Sequence, residues 1–140
     1  MTTASRRVRR IDGVYKLRAN PITSFRELER LESVGSVFTV VETGAGDATE
    51  LNGLRRVEDF VGARENAQLT SLAGLERLER VGGLGIVRNL VIENLDGLSG
   101  LRRIDGDVQI IDNPLLSSEE IDRFLGYVQV TGRVQLAYDT

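Results

Sequence analysis

Two columns of residues recur along this 140-residue chain with one shared period. Ile11, Val34, Val57, Val81 and Ile104 are spaced 23, 23, 24 and 23 residues apart, and Asn20, Thr43, Asn66, Asn89 and Asn113 are spaced 23, 23, 23 and 24. A unit this short cannot bury an apolar face by itself, so neighbouring units must stack and share one core. Between the two columns each unit carries an alternating apolar pair: Tyr15 and Leu17, Phe38 and Val40, Val61 and Ala63, Leu84 and Ile86, Val108 and Ile110. Alternation over so few residues predicts a brief strand whose paired side chains face inward. Past the second column a period of three begins, as in Phe25, Leu28, Leu31 and Val34, or Leu69, Leu72, Leu75, Leu78 and Val81. Three is out of phase with the 3.6 of a helix and the 2 of a strand. These segments therefore predict 3₁₀ turns or short extended sides, each presenting one apolar residue inward before the chain bends.

The predicted fold is a repeat solenoid: a right-handed parallel β coil with about 23 residues per coil and five to six coils, Val134 and Leu136 suggesting the last strand. Asn20, Thr43, Asn66, Asn89 and Asn113 then stand where each strand ends and the chain turns inward. An amide has both donors and acceptors for its own loop and the next coil, so the column predicts a structural ladder. Asparagine is also a common surface-turn residue, and only the regular spacing favours the ladder. The second unit departs, because "VVETGAGDATELNG" replaces asparagine with Thr43 and the following leucines with glycine and alanine, which predicts a looser loop. Gly44, Gly46 and Asp47 in that loop fit neither a phosphate-binding loop, which needs a following lysine, nor a calcium loop with spaced acids.

Residues 1–10, containing "RRVRR", read as a basic N-terminal flank, and 11–140 as a single solenoid. "LSSEEIDRFLGYV" predicts a short capping helix near 118–126: Ser117 and Glu120 have capping-box spacing, and Ile121, Phe124, Leu125 and Val128 share one face. The acids Glu119 and Glu120 suit the first turn of that helix. The N-terminal end has no comparable cap.

"VGGLGIVRN" (81–89) fits the leucine-rich-repeat core L-x-x-L-x-L-x-x-N through Val81, Leu84, Ile86 and Asn89. The other units insert one residue before the alternating pair, as in "IDGVYKLRAN" and "IDGDVQIIDN". With "NP" after two of the asparagines and "LTSLAGLERLERV", the chain from about 8 to 116 resembles the receptor L-domain type of leucine-rich solenoid. That domain type occurs in the ligand-binding ectodomains of insulin and epidermal growth factor receptors, and similar repeats occur in bacterial proteins. The resemblance implies binding of protein ligands without catalysis. The chain departs from receptor members in lacking cysteine, a signal peptide and tandem partner domains, so a bare cysteine-free module of bacterial appearance is expected rather than a hormone receptor.

Composition narrows the chemistry further. With no cysteine and no histidine, disulfides, thiol nucleophiles, imidazole bases and the usual transition-metal ligands are all absent. No cofactor, no metal site and no enzymatic activity are expected. A formal net charge of −3 argues against a nucleic-acid partner despite the local basic cluster. No apolar run approaches the roughly 18 residues of a membrane span, and the expected location is cytoplasmic unless the chain is part of a longer exported protein.

On the solvent side of the predicted strands stand Val14, Arg18, Val37, Val41, Phe60, Arg64, Val87 and Ile111, beside glycine gaps at Gly62, Gly83 and Gly85. A fully solvated face would be more polar, and aliphatic, aromatic and arginine residues together suit an interaction patch. Strand propensity alone also favours β-branched residues there. The expected function is a noncatalytic protein-binding module, a scaffold or adaptor, using this strand face, with Phe60 and Arg64 as principal contacts. The alternative is a self-assembling structural protein, a homodimer or larger homo-oligomer joined through strand faces or the uncapped N-terminal coil.

Overall fold

The computed structural model describes residues 8–18 and 25–137. In chain order the strands and helix are β1 (Arg10–Ile11), β2 (Tyr15–Arg18), β3 (Ser33–Val34), β4 (Phe38–Val41), β5 (Arg56–Val57), β6 (Phe60–Arg64), β7 (Arg80–Val81), β8 (Gly83–Val87), β9 (Arg103–Ile104), β10 (Val108–Ile111), α1 (Ser118–Tyr127), β11 (Gln129–Val130) and β12 (Val134–Ala137). Each coil thus contributes a two-residue strand, a corner and a longer strand. The longer strands form one parallel six-stranded sheet, in the order β2-β4-β6-β8-β10-β12. Tyr15, Phe38, Val61, Leu84, Val108 and Val134 stand in register across it, so the sequence repeat is the sheet register itself. The result is a solenoid-like parallel β arrangement with no closed barrel.

The short strands form two separate three-stranded sheets, β1-β3-β5 and β7-β9-β11. The interruption falls where the repeat loses a residue: nine positions separate Val57 from Asn66, but only eight separate Val81 from Asn89. The shortened corner runs through Gly82, where a Cβ would sit 2.4 Å from the carbonyl oxygen of Asp59. Backbone this close leaves no room for a side chain, and β7 pairs with β9 rather than with β5.

The period of three has a hydrogen-bond cause. In each arc the N–H of one inward residue donates to the carbonyl of the previous inward residue: Leu28 to Phe25, Leu31 to Leu28, Leu51 to Ala48, Leu54 to Leu51, Leu75 to Leu72, Leu78 to Leu75, Leu98 to Leu95 and Leu101 to Leu98. These are chained three-residue turns, and three of them close as short 3₁₀ helices at Arg26–Leu28, Thr49–Leu51 and Asp96–Leu98. The arc at Leu72–Leu75 differs, because Gly74 there has φ +119°. Stacked coils put Leu28, Leu51, Leu75 and Leu98 in one buried column, and Leu31, Leu54, Leu78 and Leu101 in the next. Each such side chain contributes about 1.5–3 kcal/mol from burial.

Thr43, Asn66, Asn89 and Asn113 are all buried and joined into a ladder. The Oδ1 of Asn66 accepts from the N–H (3.0 Å) and hydroxyl (2.8 Å) of Thr43, while its Nδ2 donates to the Val40 carbonyl (3.2 Å) and to Asn89 Oδ1 (3.1 Å). Asn89 repeats the pattern toward Ala63 and Asn113, and Asn113 donates to the carbonyls of Ile86 and Ile111. Asn20 lies outside the described residues. Thr43 holds its place through its hydroxyl, and Ala45 and Ala48 beyond it are buried. The deviant second loop is therefore packed into the core and not loose. Its Asp47 Oδ1 accepts from the N–H and hydroxyl of Thr49, closing a local turn.

At the C-terminal end α1 buries Ile121 and Phe124 against the last coils. Ser117 caps it, its Oγ accepting from the Glu120 N–H at 3.1 Å, a contact worth about 1 kcal/mol. The Glu120 carboxylate does not close a reciprocal box. It accepts instead from the Leu95 N–H of the coil beneath, at 3.4 Å, and pairs with Arg123. Tyr127 packs edge-on against Phe124 and donates to the Leu98 carbonyl. Burial, then the charges of Asp96 and Glu120, push its phenol above the ordinary range. Among the described residues, no helix is long and apolar enough to cross a membrane.

Candidate functional site

The inward side of the long sheet is filled by the core, so its chemistry is on the outward side. Register gives that side two complete rows. One runs Lys16, Thr39, Gly62, Gly85, Gln109, Gln135, and the other Arg18, Val41, Arg64, Val87, Ile111, Ala137. Five of the residues singled out from the sequence therefore adjoin in a single row: Arg18, Val41, Arg64, Val87 and Ile111. Val41, Val87 and Ile111 are half-buried, and the two arginines are exposed. Neither arginine is free, since Arg18 pairs with Glu42 at 2.9 Å and Arg64 with Glu65 at 3.0 Å. Val14 and Val37 precede their strands at the corner. Val14 is 54 % exposed, while Val37 is half-buried and its carbonyl accepts from the Tyr15 N–H.

Phe60, expected as a principal contact beside the glycine gaps, occupies those gaps with its own ring. It opens β6 opposite Gly83, and its ring lies over three glycines. Cβ atoms built on Gly62, Gly83 and Gly85 would come within 2.7, 3.0 and 2.6 Å of ring carbons. The missing side chains are what admit the ring, and the ring in turn shields a stretch of backbone that glycine would leave bare. The glycine gaps are thus filled by the chain's own aromatic, which keeps one face toward solvent and is half-buried. Next to it is a shallow depression of about 360 Å³, lined by Asp59, Phe60, Gly82, Gly83, Asp107 and Gln109.

Sequence reasoning missed the residues that turn each coil out of the sheet. Glu42, Glu65, Arg88 and Asp112, one before each ladder position, have φ of 55°, 55°, 56° and 56°. A left-handed conformation costs a non-glycine residue roughly 1–2 kcal/mol. Here it lets the N–H stay in register, donating to the carbonyls of Arg64, Val87, Ile111 and Ala137, while the next residue swings inward to the ladder. No glycine or asparagine marks these positions, so the only sequence signal was a charged residue recurring before the ladder column.

Around the corner the short strands present arginine–acid pairs: Arg10 with Asp12 (2.8 Å), Arg56 with Glu58 (2.6 Å), and Arg80 and Arg103 both with Asp105 (2.7 and 2.6 Å). Hydrogen bonds from Arg80, then Arg103, hold the Asp105 carboxyl below the usual carboxylate range. These groups are solvent-exposed and mutually neutralising, and such surface pairs contribute little to stability. Among the described residues, no group of three or more acids is gathered as a metal cage. The apolar void inside the core, between Phe38, Ala48, Ala63 and Leu72, measures about 20 Å³, the space of about one water.

Comparison of the chain with family models, with curated proteins and with solved structures finds no match. The fold class that the structure supports is a parallel-β repeat, and nothing beyond that class is carried over from another protein.

Proposed function

We propose that this chain is a noncatalytic protein-binding module, a leucine-rich solenoid of the receptor L-domain-like kind that holds its partner on the outward face of the six-stranded sheet. The observation that carries this reading is the row Val41, Arg64, Val87 and Ile111, beside Phe60 on its glycine floor. The core already fills the opposite face of the sheet, so these half-buried aliphatics contribute nothing to it. Rigid strands hold them in one surface, and aliphatic and aromatic groups rimmed by paired arginines match the make-up of interface patches. The reading of the repeat as leucine-rich rests on the L-x-x-L-x-L-x-x-N spacing of 81–89 together with the buried asparagine ladder. No cofactor enters this role.

A photo-reactive benzoylphenylalanine in place of Val87 is expected to trap a defined partner in cells, and the same probe in place of Asn52 on an arc is expected not to. Val41→Asp with Ile111→Asp should abolish the Val87 adduct while leaving the circular dichroism spectrum unchanged. Adducts formed equally from Asn52, or surviving the double substitution, would remove the sheet face from consideration.

A second reading is self-assembly, favoured by the ends of the same sheet. Its outer strands are β2 and β12, where Tyr15, Leu17 and Leu136 are partly exposed and Val134 is 44 % exposed. Joining β12 of one copy to β2 of the next would continue the parallel register, a heterologous contact that grows rather than closes. Sedimentation velocity should then show a weight-average mass rising with concentration; a monomer at every concentration eliminates this reading.

A further inference from the structure

We propose that the depression beside Phe60 is a receptor for one guanidinium group, so that the partner on the sheet face presents an arginine side chain there. The inference deepens the sheet-face reading and rests on it. Three kinds of group converge in the depression, and each suits a flat cation. The floor is Gly82 and Gly83, brought there by the one-residue deletion that shortens the corner of this coil alone. One wall is the Phe60 ring, whose underside rests on glycines, leaving the opposite π-face outward. The remaining walls carry the carboxylate of Asp59, from the coil on one side of these glycines, and the carboxylate of Asp107 and amide of Gln109, both from the coil on the other side.

Both carboxylates are held in place through one oxygen. The Oδ2 of Asp59 accepts from the Ser36 hydroxyl at 2.9 Å, and the Oδ1 of Asp107 accepts from the Arg133 N–H at 2.8 Å. Among the described residues, the second oxygen of each accepts no such bond and no basic side chain lies within ion-pair distance of either. This sets the site apart from the rest of the outward face, where Arg18 is paired with Glu42 and Arg64 with Glu65. Gln109 is tied to its neighbour through its amide nitrogen, Nε2 donating to Gln135 Oε1 at 3.3 Å, which leaves its own Oε1 as a further acceptor. The depression therefore offers acceptors and a π-face, and among the described residues no cation is paired with its carboxylates. A guanidinium can stack on the ring and direct its N–H fork at carboxylate and amide oxygens together, whereas an ammonium is a more strongly hydrated point charge that gains less from stacking.

The test uses the ¹⁵N-labelled full chain and three blocked amino acids, the acetyl N-methylamides of arginine, lysine and norleucine, at one fixed ionic strength. Arginine is expected to cause saturable amide shifts confined to Gly82, Gly83, Gly85, Asp107 and Gln109, lysine to bind more weakly, and norleucine to cause none. Asp59→Asn with Asp107→Asn preserves the oxygen that each residue uses for its internal bond, so the remainder of the spectrum should superimpose, while arginine affinity falls by about tenfold or more. Phe60→Leu should weaken arginine binding and leave the lysine response nearly unchanged. Absence of saturable shifts, an equal response to norleucine, lysine binding as tightly as arginine, or full binding by the double variant would each overturn the assignment. The cross-linking test at Val87 is independent of these variants: a partner still trapped there when the arginine probe fails leaves the sheet face standing and removes only the guanidinium site.

Discussion

Asn66→Ala is expected to destabilise the protein by roughly 3–5 kcal/mol in urea unfolding, against a change within about 0.5 kcal/mol for the exposed Gln68→Ala two positions away. The difference follows from the partners. Asn66 is fully buried, and its amide satisfies the Thr43 N–H and hydroxyl, the Val40 carbonyl and one lone pair of Asn89. Alanine leaves these groups inside the stack, where no water reaches them, and each unsatisfied group costs about 1–3 kcal/mol. Asn66→Asp separates the ladder from simple packing, because the shape is kept while both donors are lost. In neutral solution its carboxylate would face the Val40 carbonyl and Asn89 Oδ1, so it should be no more stable than the alanine variant. It should recover in part in acid, where a neutral carboxyl can donate one of the missing bonds. Equal stability of Asn66→Ala and Gln68→Ala would show that the ladder carries no energy.

The second large effect is expected at Gly74, and its sign is opposite to that of a superficially similar change. Gly74 has φ +119°, and a Cβ there would stand 1.9 Å from the carbonyl oxygen of Ala48 in the neighbouring coil. Gly74→Ala must both strain the backbone and push two coils apart, so a loss of more than about 3 kcal/mol is expected. Gly126 is within α1, and nothing lies within 4 Å of where its Cβ would be. Gly126→Ala should therefore stabilise by up to about 1 kcal/mol through helix propensity. Urea midpoints measured side by side check both, and a neutral Gly74→Ala would contradict the close approach of these two arcs.

The two glycines also mark how far the sequence could be read. Within one repeat both are small residues between apolar ones. Only stacking places Ala48 against Gly74, because the two residues are 26 positions apart on neighbouring coils. The same holds for Phe60, whose ring meets Gly83 and Gly85 across a strand boundary. Sequence reading placed Phe60 on the outward face beside glycine gaps, and only the structure shows that the ring fills them. The left-handed residues Glu42, Glu65, Arg88 and Asp112 escaped for a different reason. Their conformation is imposed by the need to pass from sheet to ladder, and no local preference of glutamate, arginine or aspartate announces it. The helix was legible almost to the residue, near 118–126 against Ser118–Tyr127, because its cap and its 3.6-residue periodicity are local signals.

The sequence by itself determined the period, the inward pairs of each strand, the three-residue steps of each arc and the column of amides. These are inward-facing positions, and burial in a shared core constrains residue type strongly enough to leave a repeating trace. What only the tertiary structure decided lies outside the core or between coils: which glycines a ring covers, where the short-strand sheet breaks, and which acids gather beside Phe60. At those places the contacts join residues one coil apart, and an outward position accepts many side chains. Their chemistry is set by stacking geometry, which no single repeat contains.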